Sequence, residues 1–142
     1  MIHRILLAVA MLSFLSQLAT GDDLSKDQEK LQGEWRITSM RLRGQDIDVA
    51  KLGDGAYVFT KDKLKVTWAQ QSVAEMTLRP NSNPKELDLK SIEGVGAGKT
   101  VFGLYRFDGD KLVLCIGDVR PKDFSGDGDA GLLVLKRRKT KE

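Results

Sequence analysis
The sequence predicts an all-β domain: an eight-stranded antiparallel up-and-down barrel preceded by a short helix. Three observations carry this reading. After Gly33, apolar and polar residues alternate at period two in one run after another, the spacing that gives a strand one buried and one wet face. The runs are joined by short turn signals, of which Asp108-Gly109-Asp110 between two apolar runs is the strongest. No helical pattern of crossover length separates any two runs, which argues against parallel pairing. Eight such strands in sequence suit a barrel, which leaves no sheet edge; a two-sheet sandwich fits the same count.

The helix is expected over Asp23–Gln32, with Ser25 as its cap, Gln28 three residues on, and Gly33 ending it. Its only large apolar residues are Leu24 and Leu31, so it lies against the domain rather than forming a core. In the first strand Trp35, Ile37 and Ser39 alternate with Arg36, Thr38 and Met40, and Gly44-Gln45 stops the run. Residues 46–55 read as a connection with a helical turn around Val49 to Leu52. Ala56 to Thr60 is the second strand. Lys61-Asp62 turns it into Lys63 to Trp68, the cleanest alternation in the chain. Val73 to Arg79 follows, then the loop Pro80 to Pro84. Glu86 to Lys90, the glycine-rich loop Gly94 to Gly98, Thr100 to Phe107 and Lys111 to Ile116 come next. Gly117 to Gly131 reads as a long loop, and Leu132 to Arg138 is the last strand.

The 142 residues make one domain. Arg4, the apolar run Ile5 to Leu18, and the small residues Ala19 and Gly21 around Thr20 have the order of a secretory signal. The run is also short of the roughly 20 apolar residues of a membrane span. The expected organisation is therefore a signal at residues 1–21 and a barrel domain at 22–142. The product is exported, periplasmic or extracellular, monomeric and not membrane-spanning after cleavage. His3 is the only histidine and Cys115 the only cysteine. Loss of the signal leaves no imidazole, hence no Ser-His-Asp triad, no Cys-His pair and no histidine metal site. No cofactor is expected. Only Arg4 is lost from the basic side chains, so the mature balance is near neutral. The one basic patch, around Lys136 to Lys141, reads as a solvated tail rather than a nucleic-acid footprint.

Gly33-Glu34-Trp35, where the helix meets the first strand, resembles the Gly-x-Trp signature that opens lipocalins. Arg137 or Arg138 resembles the basic residue that lipocalins pack over that tryptophan, a cation–π contact. An ordered set of segments covers almost the whole mature chain. It runs from Leu31-Gln32-Gly33-Glu34-Trp35 through Pro84 to Leu89, Gly98-Lys99-Thr100 and Gly103-Leu104-Tyr105 to Asp108 to Leu112. Cys115, Arg120-Pro121, Phe124 and Leu133 to Arg137 complete it. Together these are similar to an uncharacterised lipocalin-like domain family of planctomycete bacteria. The resemblance implies a lipocalin-like barrel, exported in many members, and supplies no activity, ligand or catalytic residue.

Several motifs invite sharper readings. Gly94-Val95-Gly96-Ala97-Gly98-Lys99-Thr100 looks like a phosphate loop, but Glu93 stands where the first glycine belongs and a strand follows instead of a helix. Asp123, Ser125, Asp127 and Asp129 resemble the front of a calcium loop, yet Val134 occupies the twelfth place that needs a bidentate Glu. Cys115, among apolar neighbours, is expected to be a packed strand residue. Glu75 and Asp88 are candidate cavity-facing carboxylates, but both sit on the polar phase of their strands and are expected in solvent. Trp35, Tyr57, Phe59, Trp68, Met76 and Tyr105 are the candidate ligand-binding residues; no catalytic or metal-ligating residue is assigned. Eight-stranded barrels either are filled or hold one small ligand. The expected function is non-enzymatic binding of a small apolar molecule. A filled structural or interaction module of the cell envelope is the alternative, and a carboxylate hydrolase a distant third.

Overall fold
A computed structural model describes residues 15–68 and 70–138. Helix α1 (Leu15–Leu31) precedes nine strands. They are β1 (Gly33–Leu42), β2 (Gln45–Ile47), β3 (Ala56–Thr60), β4 (Lys63–Trp68) and β5 (Gln70–Arg79). The series continues with β6 (Glu86–Glu93), β7 (Thr100–Asp108), β8 (Lys111–Gly117) and β9 (Gly131–Arg137). Pairing is antiparallel throughout, in the order β1-β3-β4-β5-β6-β7-β8-β9, and β9 returns to β1. That last pairing, Trp35 with Arg137 through Leu42 with Gly131, closes the barrel and removes the sandwich alternative.

The ninth strand, β2, is an addition to the expected count. It folds back on β1, with Met40 opposite Ile47 and Leu42 opposite Gln45. The hairpin turns on Arg43 and Gly44, both at positive φ (52° and 76°), as a two-residue primed turn requires. Arginine in the first of those places is not a residue that announces such a turn. The helical turn at Val49–Leu52 forms as a 3₁₀ turn capped by Asp48, whose carboxylate accepts from Ala50 N–H at 3.1 Å.

The helix is longer than expected. It starts at Leu15 rather than Asp23, so Ser25 lies within it and caps nothing. Between Leu15 and Leu31 the least helix-favouring residue is Gly21, at about 1 kcal/mol against Ala, and no proline interrupts. The start of the secretory-signal segment, residues 1–14, and the tail residues 139–142 lie outside the described residues.

The phase of β1 also departs from simple alternation. Thr38 is bulged: Ile37 pairs Leu135 and Ser39 pairs Val134. The extra residue flips every later side chain to the other face. Ser39 is therefore exposed, while Met40 turns inward and is buried. The consequence appears at the candidate site.

The two ends of the barrel differ. At the floor lie the turns at Lys61-Asp62, Pro80 to Lys85 and Gly109-Asp110, together with the start of β1 and the end of β9. This half is filled. Trp35, Phe59, Leu64, Tyr105, Leu112 and Leu135 are each at most 2% exposed. Helix α1 seals it: Leu31 is 1% exposed, and Trp35 Nε1–H donates to Leu31 O at 2.8 Å. Arg137 stacks over Trp35 at 4.4 Å and donates to the carbonyls of Lys30 and Gln32, which end the helix. Arg138 instead pairs with Glu34 at 2.7 Å. The Gln32 side chain reads the backbone of Lys61, donating to its carbonyl at 3.0 Å and accepting from its N–H at 2.6 Å.

The long segment between β8 and β9 folds back over the outside of the barrel. Leu104, Val113 and Cys115 point away from the interior, yet they are buried. Around them Phe124 lies under Arg106 at 4.5 Å, and Gly126 O accepts from Gly44 N–H at 3.0 Å. This strap adds a second, smaller apolar layer outside the main core.

Candidate functional site: an apolar cleft at the barrel mouth
At the mouth, β1 cannot serve both neighbours along its whole length. Its start pairs with β3 through Gly33, Glu34 and Trp35, and its end pairs with β2. Over Arg36 to Ser39 neither β2 nor β3 pairs with β1, and the 3₁₀ turn Val49–Leu52 connects the two strands. A cleft of about 480 Å³ occupies this seam, within the ~300–1,000 Å³ of small-molecule sites. The bulge at Thr38 supplies one side of it, Met40 and Leu42. The hairpin and 3₁₀ turn supply Ile47 and Leu52, β3 and β4 supply Tyr57 and Trp68, and the far wall is Ile116 and Leu133 over Gly131.

Trp68 is fixed across the seam. Its Nε1–H donates to Leu52 O at 2.9 Å, tethering the 3₁₀ turn to β4. Gly55 permits this placement, since a Cβ there would fall 2.8 Å from the indole. Tyr57 is 8% exposed. Burial pushes its phenol up to about 12, with no other group contributing to the shift. It therefore keeps its proton throughout the physiological range.

Of the six residues nominated from the sequence, Tyr57 and Trp68 line this cleft. Trp35, Phe59, Met76 and Tyr105 are packed in the core below it. Tyr105 donates its hydroxyl to Asp27 of α1 at 2.7 Å, and Lys85 Nζ holds the same carboxylate at 2.9 Å. Burial first, and then this hydrogen bond, push the Tyr105 phenol far above its ordinary value. Sequence reading missed Met40 and Leu42, because alternation without the bulge puts Met40 on the outer face. It missed Ile47 and Leu52 because the segment carrying them read as a connection.

Asp88 is a correction. Expected in solvent, it is instead clamped on the outer wall between two arginines. Arg120 of the strap donates to Asp88 Oδ1 at 2.5 Å and Arg79 to Oδ2 at 2.8 Å. Arg79 also reaches Glu86 at 3.2 Å, and Arg120 stacks on Phe102 at 5.3 Å while donating to Gly103 O at 2.9 Å. Burial alone raises the Asp88 carboxyl, but the hydrogen bonds from Arg120 and Arg79 outweigh it and hold the group below its usual value. Glu75 is exposed, opposite Lys90.

A pH prediction follows from the clamp. A carboxyl whose folded pKa is depressed stabilises the fold fully above its unfolded value. That contribution is lost as pH falls through the folded one. The melting temperature is expected to drop on acidification below about pH 4, the unfolded value for Asp. Proteolysis of the strap should rise with it. Asp88→Asn should flatten this acid limb while lowering stability at neutral pH; an unchanged acid limb refutes the clamp's role.

The other motifs resolve locally. Gly94 to Gly98 joins β6 to β7 and leads into a strand, so it lacks the helix N-terminus on which a phosphate loop depends. In the strap Asp123 accepts from Ser125 N–H at 3.1 Å, and Asp127 meets Arg41 at 3.4 Å. Among the described residues no group of three or more His, Cys, Asp or Glu side chains is placed to hold a metal ion. Cys115 is fully buried under the strap, and desolvation raises its thiol pKa, which disfavours the thiolate. No helix among the described residues is long and apolar enough to cross a membrane. Comparison with protein-family models, curated proteins and solved structures finds no match for this chain.

Proposed function
We propose that the protein is an exported, monomeric lipocalin-like binding domain that takes up a small apolar molecule at the barrel mouth without transforming it. The apolar cleft carries this reading: about 480 Å³, open to one side, with two aromatic side chains and no charged one in its lining. The filled floor supports it by contrast, since the same barrel buries its aromatics completely at the other end. Gly33-x-Trp35 with Arg137 stacked on the indole supports the lipocalin-like assignment. The order of residues 1–21 supports export.

Binding has an internal reporter. Trp68 lines the cleft, and Trp35, the other tryptophan, is sealed in the floor. Phenylnaphthylamine, an uncharged apolar dye, is expected to bind one-to-one, quench part of the tryptophan emission and raise the melting temperature. Mass action gives about 2.7 kcal/mol at a hundredfold excess over Kd. Trp68→Phe should retain the fold and lose most of the quench. Absence of saturable binding, or a quench that survives Trp68→Phe, refutes the assignment to this cleft.

A further inference from the structure
The side chains lining the cleft carry only two hydrogen-bonding atoms besides the weakly polar methionine sulfur. One, Trp68 Nε1–H, is engaged by Leu52 O at 2.9 Å. The other, the Tyr57 hydroxyl, is on a side chain only 8% exposed and has no hydrogen-bond partner among the described residues. The contrast with Tyr105 is direct. That phenol, equally inside the barrel, is satisfied by Asp27 at 2.7 Å. The Tyr57 hydroxyl is not among the buried side-chain atoms left without a partner, so solvent reaches it, and a ligand that covers it must bring an acceptor or leave it unsatisfied. Its position in the wall of an open apolar cleft gives it a use: it can meet a polar atom that the ligand brings.

We propose that Tyr57 determines the specificity of the cleft, and that its ligand is an uncharged, largely apolar molecule carrying a single oxygen that accepts a hydrogen bond, such as a ketone or ester. This rests on the apolar-binding reading above and goes beyond it by naming the ligand class. Burial pushes the phenol up to about 12, so at neutral pH it is protonated and can donate. No lysine or arginine lines the cleft to receive a carboxylate, and no carboxylate lines it to receive an amine. A charged ligand group would be desolvated there without a counter-ion, which is strongly unfavourable. A hydrocarbon would fit, but would leave the hydroxyl unsatisfied. A neutral acceptor satisfies both the apolar walls and the one polar atom among them.

Two dyes of nearly the same shape test this: prodan, a dimethylaminonaphthalene with one ketone, and dimethylaminonaphthalene itself. The full chain is expected to bind both saturably and prodan more tightly. Tyr57→Phe should weaken prodan by roughly three- to tenfold, the range of one net hydrogen bond. It should bind the ketone-free dye as tightly as wild type or slightly more tightly, because no hydroxyl is then left unsatisfied. Emission of bound prodan should move to the blue in Tyr57→Phe, because the ketone loses its donor. The variant should melt near the wild-type temperature, since the hydroxyl it removes has no protein partner among the described residues. Equal prodan affinity and emission in wild type and Tyr57→Phe would overturn the assignment to Tyr57 while leaving apolar binding intact. Anilinonaphthalene sulfonate binding as tightly as prodan, and competing with it, would overturn the uncharged ligand. Failure of both neutral dyes to saturate would refute apolar binding itself, and this inference with it.

Discussion

Trp35→Ala is expected to destabilise the fold by about 3–5 kcal/mol, the range for deleting a large buried aromatic. The side chain is 2% exposed at the junction of α1, β1 and β9. Three interactions end together with it. The indole leaves a cavity under Leu31, the bond from Nε1–H to Leu31 O is lost, and Arg137 loses the ring it stacks on. Arg137 itself holds the last carbonyls of α1, so the floor should loosen as a unit. Denaturant unfolding measures the loss, and hydrogen exchange should show α1 opening before the barrel. Trp35→Phe should cost markedly less, because it keeps an aromatic face for Arg137 and loses the bond to Leu31 and only part of the packed volume. A near-neutral Trp35→Ala would contradict the sealing role of this residue.

The second large effect is expected at Asp27, the one buried charged residue among those described. Asp27→Ala should cost about 2–3 kcal/mol, because it leaves the Tyr105 hydroxyl buried without an acceptor. Lys85 adds little to that figure, since its side chain is 40% exposed and water can replace the carboxylate. Tyr105→Phe should recover part of the loss in the double variant, as expected when two residues share one hydrogen bond. Strict additivity of the two single changes in denaturant unfolding would show that the bond does not anchor α1. The pair matters to the fold because Asp27 lies on α1 and Tyr105 deep in β7. Through them the helix is tied to the barrel about one turn before its C-terminal contacts at Leu31.

The barrel was legible in the sequence because its signals are local. Leu64, Val66 and Trp68 alternate with lysines and a threonine, and Asp108-Gly109-Asp110 turns β7 into β8 without reference to the rest of the chain. Trp35 was readable from Gly33-Glu34-Trp35, a tryptophan two residues after the glycine expected to end the helix. The cleft was less legible. Met40 enters it only because Thr38 is bulged against β9, and a bulge is a property of the pairing of two strands rather than of either one. Ile47 enters it through a hairpin whose turn uses Arg43 at positive φ. Asp88 sits on the polar phase of β6, as its position says. Only the return of Arg120, 32 residues later in the chain, converts that outward carboxylate into a clamp.

The sequence by itself determined the all-β class and the antiparallel order of the strands. Both depend on spacing between near neighbours, which periodicity and turn chemistry report directly. Tertiary structure alone decided that the barrel closes through β1 and β9, that its floor is filled and that a cleft opens at its mouth. It also decided that Trp68 and Tyr57 share that opening, while Phe59, two residues from Tyr57, is packed away. Those outcomes depend on which strands compete for the two edges of β1. Strand pairing satisfies backbone hydrogen bonds without regard to side-chain type, so alternation alone does not record the competition.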